Sequence, residues 1–380
     1  MSTKLNLALG YWNGTYMMGA YYYRALKKIA NVWSIGPEFS GEKSDFPCDV
    51  RSPITPIIDK IPEKIDYYVQ FYSKPDFFPP DLFELDIPIA WYVYDTHVHL
   101  DELASSARAF DLVFCPEEND RRKLLEKGLE NVEVLDFGAE KESYYREQTT
   151  ITTRKHKLGF AGSVTDHPQL KGRKTILDKL ASKYDLHIEN RTLLGPEVSS
   201  FYQDCTIVVN HAIKNEVNMR NFEVMMSGRP LLTLDVPGLK DYIQDGVHAT
   251  FYTEENLYEK VDWMLSHPEE IESMAAKAQE LTLEKFSYTV HAQKLIETLT
   301  KYKDQLLNSS QRQNDVFIKK CAIFRYYYFR FPGDAFQWLI DYGLRSDNFI
   351  TKLLKLQFKL LISILKFRQK FSKGIYFQAK

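Results

Sequence analysis

In RNFEVMMSGRPLLT, residues 220–233, Arg220 and Glu223 stand three positions apart at the start of a helical pattern that runs into an apolar strand. The preceding strand-like run, TIVVN (206–210), ends at Asn210-His211, and a loop joins it to Asn221. Free backbone N–H groups at a helix start attract phosphate. Arg220 adds a guanidinium suited to two-point phosphate contact. A carboxylate one turn inside, Glu223, can accept hydrogen bonds from both hydroxyls of a ribose. Gly228 lets the chain turn tightly into the next strand. These residue types in this order suit a nucleoside diphosphate. An acid near a helix start also serves plain capping, and that reading stays open.

A second chemical cluster, Tyr94-Asp95-Thr96-His97-Val98-His99-Leu100-Asp101, follows a strong strand at its carboxyl end. Asp95 or His97 could act there as a general base on an acceptor hydroxyl. His97 and His99 could instead chelate a metal, as in an amidohydrolase. They could also simply cap the next helix. The metal role needs further ligands from later strands. Only His187 and His211 fall near strand ends, and the pair comes late for a first barrel strand. A third candidate is Gly10-Tyr11-Trp12-Asn13-Gly14, directly after strand one. Its backbone could approach a substrate, with Tyr11 and Trp12 stacking on a sugar; an ordinary glycine turn is the alternative. His211 follows its strand in the same way and is a further candidate for the nucleotide side.

The elements that must carry these residues alternate. Strand-like runs occur at 4–9, 66–71, 87–94, 111–114 and 132–135, with helical stretches between several of them, one through Ala30 and one at 117–127. Residues 146–156, REQTTITTRKH, lack apolar periodicity and read as a linker. Alternation then restarts: strands at 157–160, 184–188, 206–210, 230–234 and 249–252, with helices at 173–183 and 197–204 and two or three amphipathic helices over 254–306. Strands alternating with helices imply parallel sheets covered on both faces. The expected fold class is α/β: two facing, Rossmann-like, doubly wound domains, 1–150 and 151–308, with a helical extension over 309–380. Ligands in such sheets bind beyond the carboxyl ends of the strands, so both domains would point those ends into one cleft.

Length and composition agree. At 380 residues, two domains are the default. The 24 Tyr and 24 Phe suit either a bulky core or ring-binding clefts. Four scattered cysteines without a CxxC pair argue against a zinc site or a disulfide framework and suit a reducing compartment. The amino-terminal apolar run is too short for a signal peptide, and no window is long enough for a membrane span.

RNFEVMMSGRPLLT resembles the donor-binding segment of GT-B glycosyltransferases of group 1, most nearly the CgeB-like, spore-maturation-protein-like subgroup. Other segments fall in the family's order. KLGFAGS (157–163) resembles the first strand and loop of the donor domain, and Arg173 opens the next helix, where the family often has a basic residue. Residues 241–280 resemble the family's closing segment, and 110–140 the end of its acceptor domain. The resemblance implies transfer of a sugar from a nucleotide-sugar donor. Glu223, preceded by Phe222, would take the ribose hydroxyls. Gly162, Ser163, Arg173 and the backbone around Arg220 and Asn221 would hold the diphosphate. No metal or other cofactor is expected, because helix ends and basic side chains neutralise the leaving group. One departure stands out: where many members have a second glutamate, eight residues before the ribose one, this chain has Asn215, with Glu216 beside it and Asn218 in place of a usual glycine.

The chain from Gln313 onward holds thirteen Lys or Arg against four Asp or Glu, although the whole chain carries a formal charge of −2. Around 351–370, Lys352, Lys355, Lys359, Lys366 and Lys370 share one helical face over a leucine-rich remainder. Such a face suits an anionic membrane, which would place a cytoplasmic enzyme at the inner face near a lipid-linked glycan acceptor of the cell envelope. Packing on the body or on a second chain is the alternative. Nucleic acid is disfavoured, since the rest of the chain is acidic. A non-catalytic nucleotide-sugar binding protein of the same fold also stays open.

Overall fold

The computed structural model of the protein describes residues 4–307, except 12, 39–42, 50, 51, 72–77, 80, 148–153, 166 and 215; for 97, 98, 169 and 304–307 it describes the backbone alone. Trp12, Asn215 and the basic segment 351–370 lie outside the described residues.

Two parallel sheets organise the chain. The first holds seven strands in the order β3-β2-β1-β4-β5-β6-β7: β1 Asn6–Gly10, β2 Asn31–Gly36, β3 Phe46–Pro47, β4 Tyr67–Gln70, β5 Ile89–Tyr92, β6 Leu112–Cys115 and β7 Val132–Val134. The second holds five in the order β12-β11-β10-β8-β9: β8 His156–Ala161, β9 Leu186–Glu189, β10 Cys205–Asn210, β11 Leu231–Leu234 and β12 Thr250–Tyr252. Every pairing between these strands is parallel. Central strands such as β4, YYVQ, and β5, IAWY, are buried along their whole length, which is why they read as continuous apolar runs. NVWSIG (β2) was not an expected strand. It mixes Asn, Ser and Gly with its apolar residues, and its place beside β1 comes from long-range pairing that no local run announces.

Each sheet reverses its winding once. In the first the reversal lies between β1 and β4, in the second between β8 and β10. Crevices open at such points, beyond the strand ends. In the second sheet that point is flanked by Gly162-Ser163 and by Asn210-His211.

The chain passes between the domains twice. It leaves the first after the short helix α5, Lys141–Tyr144, and returns with the long carboxyl-terminal helix α11, Tyr288–Leu307. That helix packs on α1, Met18–Leu26. Tyr22 and Tyr288 meet edge to face at 5.0 Å, Tyr22 stacks on Phe71 at 4.8 Å, and the Tyr67 hydroxyl donates to the Leu299 carbonyl at 2.9 Å. Thus the last helix of residues 151–308 completes a layer of the first domain. The two passages touch: the Ala139 amide donates to the Phe286 carbonyl at 3.0 Å. Much of the aromatic content is therefore core, with Tyr22, Tyr67, Trp91 and Tyr92 wholly buried.

Candidate active site

A cleft of about 990 Å³ lies between the domains. Its second-domain wall begins at Ala161, the last residue of β8, just after the buried ring of Phe160. The guanidinium of Arg220 lies over that ring at 4.7 Å and that of Arg173 at 5.4 Å. Arg173, on α6 (Lys171–Ala181), is buried and anchored by donation to the His211 carbonyl at 3.1 Å and the Ser163 carbonyl at 3.2 Å. Arg220, on α8 (Met219–Met226), donates to Asn210 Oδ1 at 3.1 Å. Burial and the neighbouring Arg220 charge pull the Arg173 pKa down to about 10. Among the described residues, no carboxylate lies within ion-pair range of either arginine. Two adjacent cations repel each other, and with only the more distant charges of Glu216 and Glu223 to offset them they form a site that a diphosphate would relieve.

Gly162 is what lets Arg220 lie so close. Its φ is +148°, and a Cβ there would come within 2.4 Å of Arg220 Nη2. The loop therefore needs glycine on both counts.

Glu223 lines the cleft one turn beyond Arg220. Burial raises its pKa, while Arg220 and a hydrogen bond from Tyr144 lower it. That bond spans the two domains: the Tyr144 hydroxyl donates to Glu223 Oε1 at 3.1 Å.

Asn221, Phe222 and His211 stand behind this wall. The Asn221 side chain accepts from Asn210 Nδ2 at 2.8 Å and from Thr233 Oγ1 at 2.9 Å, tying α8 to β10 and β11. Its amide is engaged by the Asn218 carbonyl at 3.2 Å, as expected for a helix start closing on itself. Phe222 is buried against Tyr242 and Phe286. His211 Nδ1 meets the Tyr252 hydroxyl at 2.8 Å, and burial with the Arg173 charge drives its pKa down to about 4. These three side chains shape the wall and do not line the cleft; the expectation of direct contact is corrected for them. Glu216 and Asn218 do line it.

On the first-domain wall, Asp95 follows β5 and lines the cleft with its side chain exposed. Its backbone is left-handed, φ +61°, a conformation Asp tolerates better than most residues. That turn sends the chain from the strand into α3, Thr96–Ala107. His97 lies in the first turn of α3 by its backbone. His99 sits at a kink in the same helix and pairs with Glu102 at 3.1 Å. Among the described residues, no group of three or more His, Cys, Asp or Glu could hold a metal ion. Two open sheets also provide no barrel, so the hydrolase alternative loses its framework.

The glycine-flanked turn is corrected as well. Tyr11 is buried beside Tyr23, and Asn13 and Gly14 are buried too, with the Asn13 amide bonded to the Pro37 carbonyl. The chain reaches the cleft slightly later, at Tyr16, Met17 and Met18, joined there by Tyr94 and Phe137. Tyr16 packs on Gly195 across the cleft, where a Cβ would overlap its ring at 2.2 Å. Neither Tyr16 nor Tyr144 had a signal in the sequence, since each acquires its role from a residue far along the chain.

Comparison with known proteins decides the fold. The sucrose-phosphate synthase of Thermosynechococcus elongatus superposes with a TM-score of 0.58 over 81% of this chain and 100% of its own, at 10% identity. Anabaena Alr3699/HepE, in complex with UDP and glucose, gives 0.56 over 78% and 100%, at 12% identity. WaaG, a glycosyltransferase involved in lipopolysaccharide biosynthesis, gives 0.54 over 77% and 99%, at 13% identity. The fold is GT-B. Within the GT-B frame, residues 169–297 match the family described as "Glycosyl transferase-like". A trehalose synthase of Pyrococcus horikoshii is 29% identical over 127 residues, 32% of this chain. The chain thus spans 30% of the length of that curated relative.

Proposed function

We propose that the protein is a glycosyltransferase that moves a sugar from a nucleotide-sugar donor to an acceptor hydroxyl. The observation that carries this is the pair of neighbouring guanidiniums, Arg173 and Arg220, gathered over Phe160 at the winding reversal of the second sheet, with Glu223 one turn away. In this reading the arginines and the Gly162-Ser163 loop hold the diphosphate, and Glu223 takes the ribose hydroxyls. The acceptor oxygen attacks the anomeric carbon, the bond to the diphosphate oxygen breaks, and the nucleoside diphosphate leaves with the negative charge. Asp95, or His97 beside it, removes the acceptor proton. The two cations supply the charge that a metal would otherwise bring, so the reaction runs without one. Domains 1–150 and 151–308 bind acceptor and donor respectively.

The ordered motifs favour the CgeB-like subgroup of group 1. A glycan or lipid-linked glycan of the cell envelope is the acceptor class we favour, with residues 351–370 of the 309–380 extension holding a cytoplasmic enzyme against the anionic inner face of the membrane. No helix among the described residues is long and apolar enough to cross a membrane. The test is a thermal-shift screen of the purified chain against UDP, GDP, dTDP, ADP and CMP. One nucleoside diphosphate should stabilise it, and Glu223→Ala should remove that stabilisation. No shift with any nucleotide would sink the donor site.

A further inference from the structure

Tyr144 closes the first domain at the end of α5, yet it reaches into the second. Its hydroxyl donates to Glu223 Oε1 at 3.1 Å. Its carbonyl accepts from Ser199 Oγ at 2.9 Å. That hydroxyl lies 3.2 Å from Ser227 Oγ, which donates to the Glu223 carbonyl at 2.8 Å. Tyr144 therefore reaches the carboxylate directly, while Ser199 pins its backbone to the second domain. Behind it the Tyr21 hydroxyl stands 3.5 Å from its own.

We propose that Tyr144 is a positioning residue for donor binding: from the opposite domain it fixes the Glu223 carboxylate through Oε1, leaving Oε2 as the oxygen available to the ribose of a nucleoside diphosphate. This rests on the donor reading given above for Glu223. A glutamate side chain has several rotatable bonds, and a carboxylate already held in place loses less freedom when a ligand arrives. Because the holding group comes from the facing domain, donor affinity depends on how the domains are seated. The charged and titratable groups facing Glu223 are Arg220 on its own helix, Tyr144 and Tyr21 from the first domain, Tyr202 from α7 (Pro196–Gln203), and Tyr288 from α11. Arg220 and the Tyr144 bond are the two influences that favour the carboxylate against burial. Removing the hydroxyl should move the pH below which binding fails upward.

The experiment titrates the screen's most stabilising nucleotide into wild type, Tyr144→Phe, Glu223→Gln and the double variant, between pH 5 and pH 8. Tyr144→Phe keeps the buried ring. It should weaken binding about tenfold, the scale of one lost hydrogen bond to a charged group, and shift the acid limb of the binding curve to higher pH. In the Glu223→Gln background the same change should add little. Wild-type affinity with an unmoved acid limb in Tyr144→Phe would overturn the proposal, as would losses that multiply in the double variant. Glu223→Gln binding as wild type would instead sink the underlying donor reading. If Tyr144→Phe does not fold, Ser199→Ala, which frees the Tyr144 carbonyl, carries the test: about twofold weaker binding is expected, and unchanged binding overturns the proposal.

Discussion

The wall proposed for the donor presents three arginines, Arg173, Arg191 and Arg220, and two carboxylates, Glu216 and Glu223, whereas the facing wall presents Tyr16, Met17, Met18, Tyr94 and Phe137 around one acid, Asp95. A diphosphate and a ribose impose fixed charges and donors at fixed separations. The residues that meet them cluster within two turns of chain, at 162–173 and 216–223. An acceptor is met by shape and apolar area, which turns distant in sequence can supply together. The donor wall therefore has a motif and the acceptor wall does not.

That contrast can be broken in three ways. The largest effect is expected from Asp95→Asn, which should lower kcat about 10²- to 10⁴-fold if the acid moves the acceptor proton, while the nucleotide thermal shift persists. Loss of the shift in that variant would make Asp95 part of the donor wall. A reciprocal pair comes next. Arg173→Ala should weaken nucleotide binding about 10- to 100-fold, as for a charge-assisted contact. Tyr94→Ala should leave nucleotide binding intact and raise the acceptor KM about fivefold, the scale of a lost ring contact. Equal effects on both substrates from either change would erase the division between the walls.

The smallest effect touches stability and not turnover. His211 on the donor side and His291 at the domain junction are buried, and burial is the first cause that brings each pKa down to about 4. Both remain neutral in the folded chain while the unfolded chain, with an ordinary value near 6.5, takes up protons. Stability is therefore complete above about pH 6.5 and declines as pH falls toward 4, by on the order of 3 kcal/mol for each histidine. His291→Leu should flatten the fall in Tm between pH 6.5 and pH 4. An unchanged slope would show that His291 is protonated in the folded state.

The sequence made most strands of both sheets legible, because parallel strands buried on both faces leave apolar runs that need no partner to be seen. β2 escaped for the opposite reason, its polar residues tolerated through pairing with β1. At the site, Arg220 and Glu223 were named from residue type and spacing and Gly162, Ser163 and Arg173 from the family resemblance, and all five line the cleft. Tyr11, Asn13 and Gly14 had the right chemistry at the right strand end. The turn folds them inward, and depth is a property of packing that residue type does not carry. Asn221 and Phe222 share a motif with cleft residues but lie behind the wall, because a helix that turns Arg220 and Glu223 to the cleft turns the two positions between them away. Tyr144 was hidden because its partner lies 79 residues away.

The closing helix has one further bearing. It runs from the aromatic cluster near Glu223 down the first domain until Lys303 meets Asp66, at the foot of β4, at 2.8 Å. A helix that closes the second half of the chain is thereby clamped to the first sheet, so any rotation of one sheet against the other has to carry or bend it.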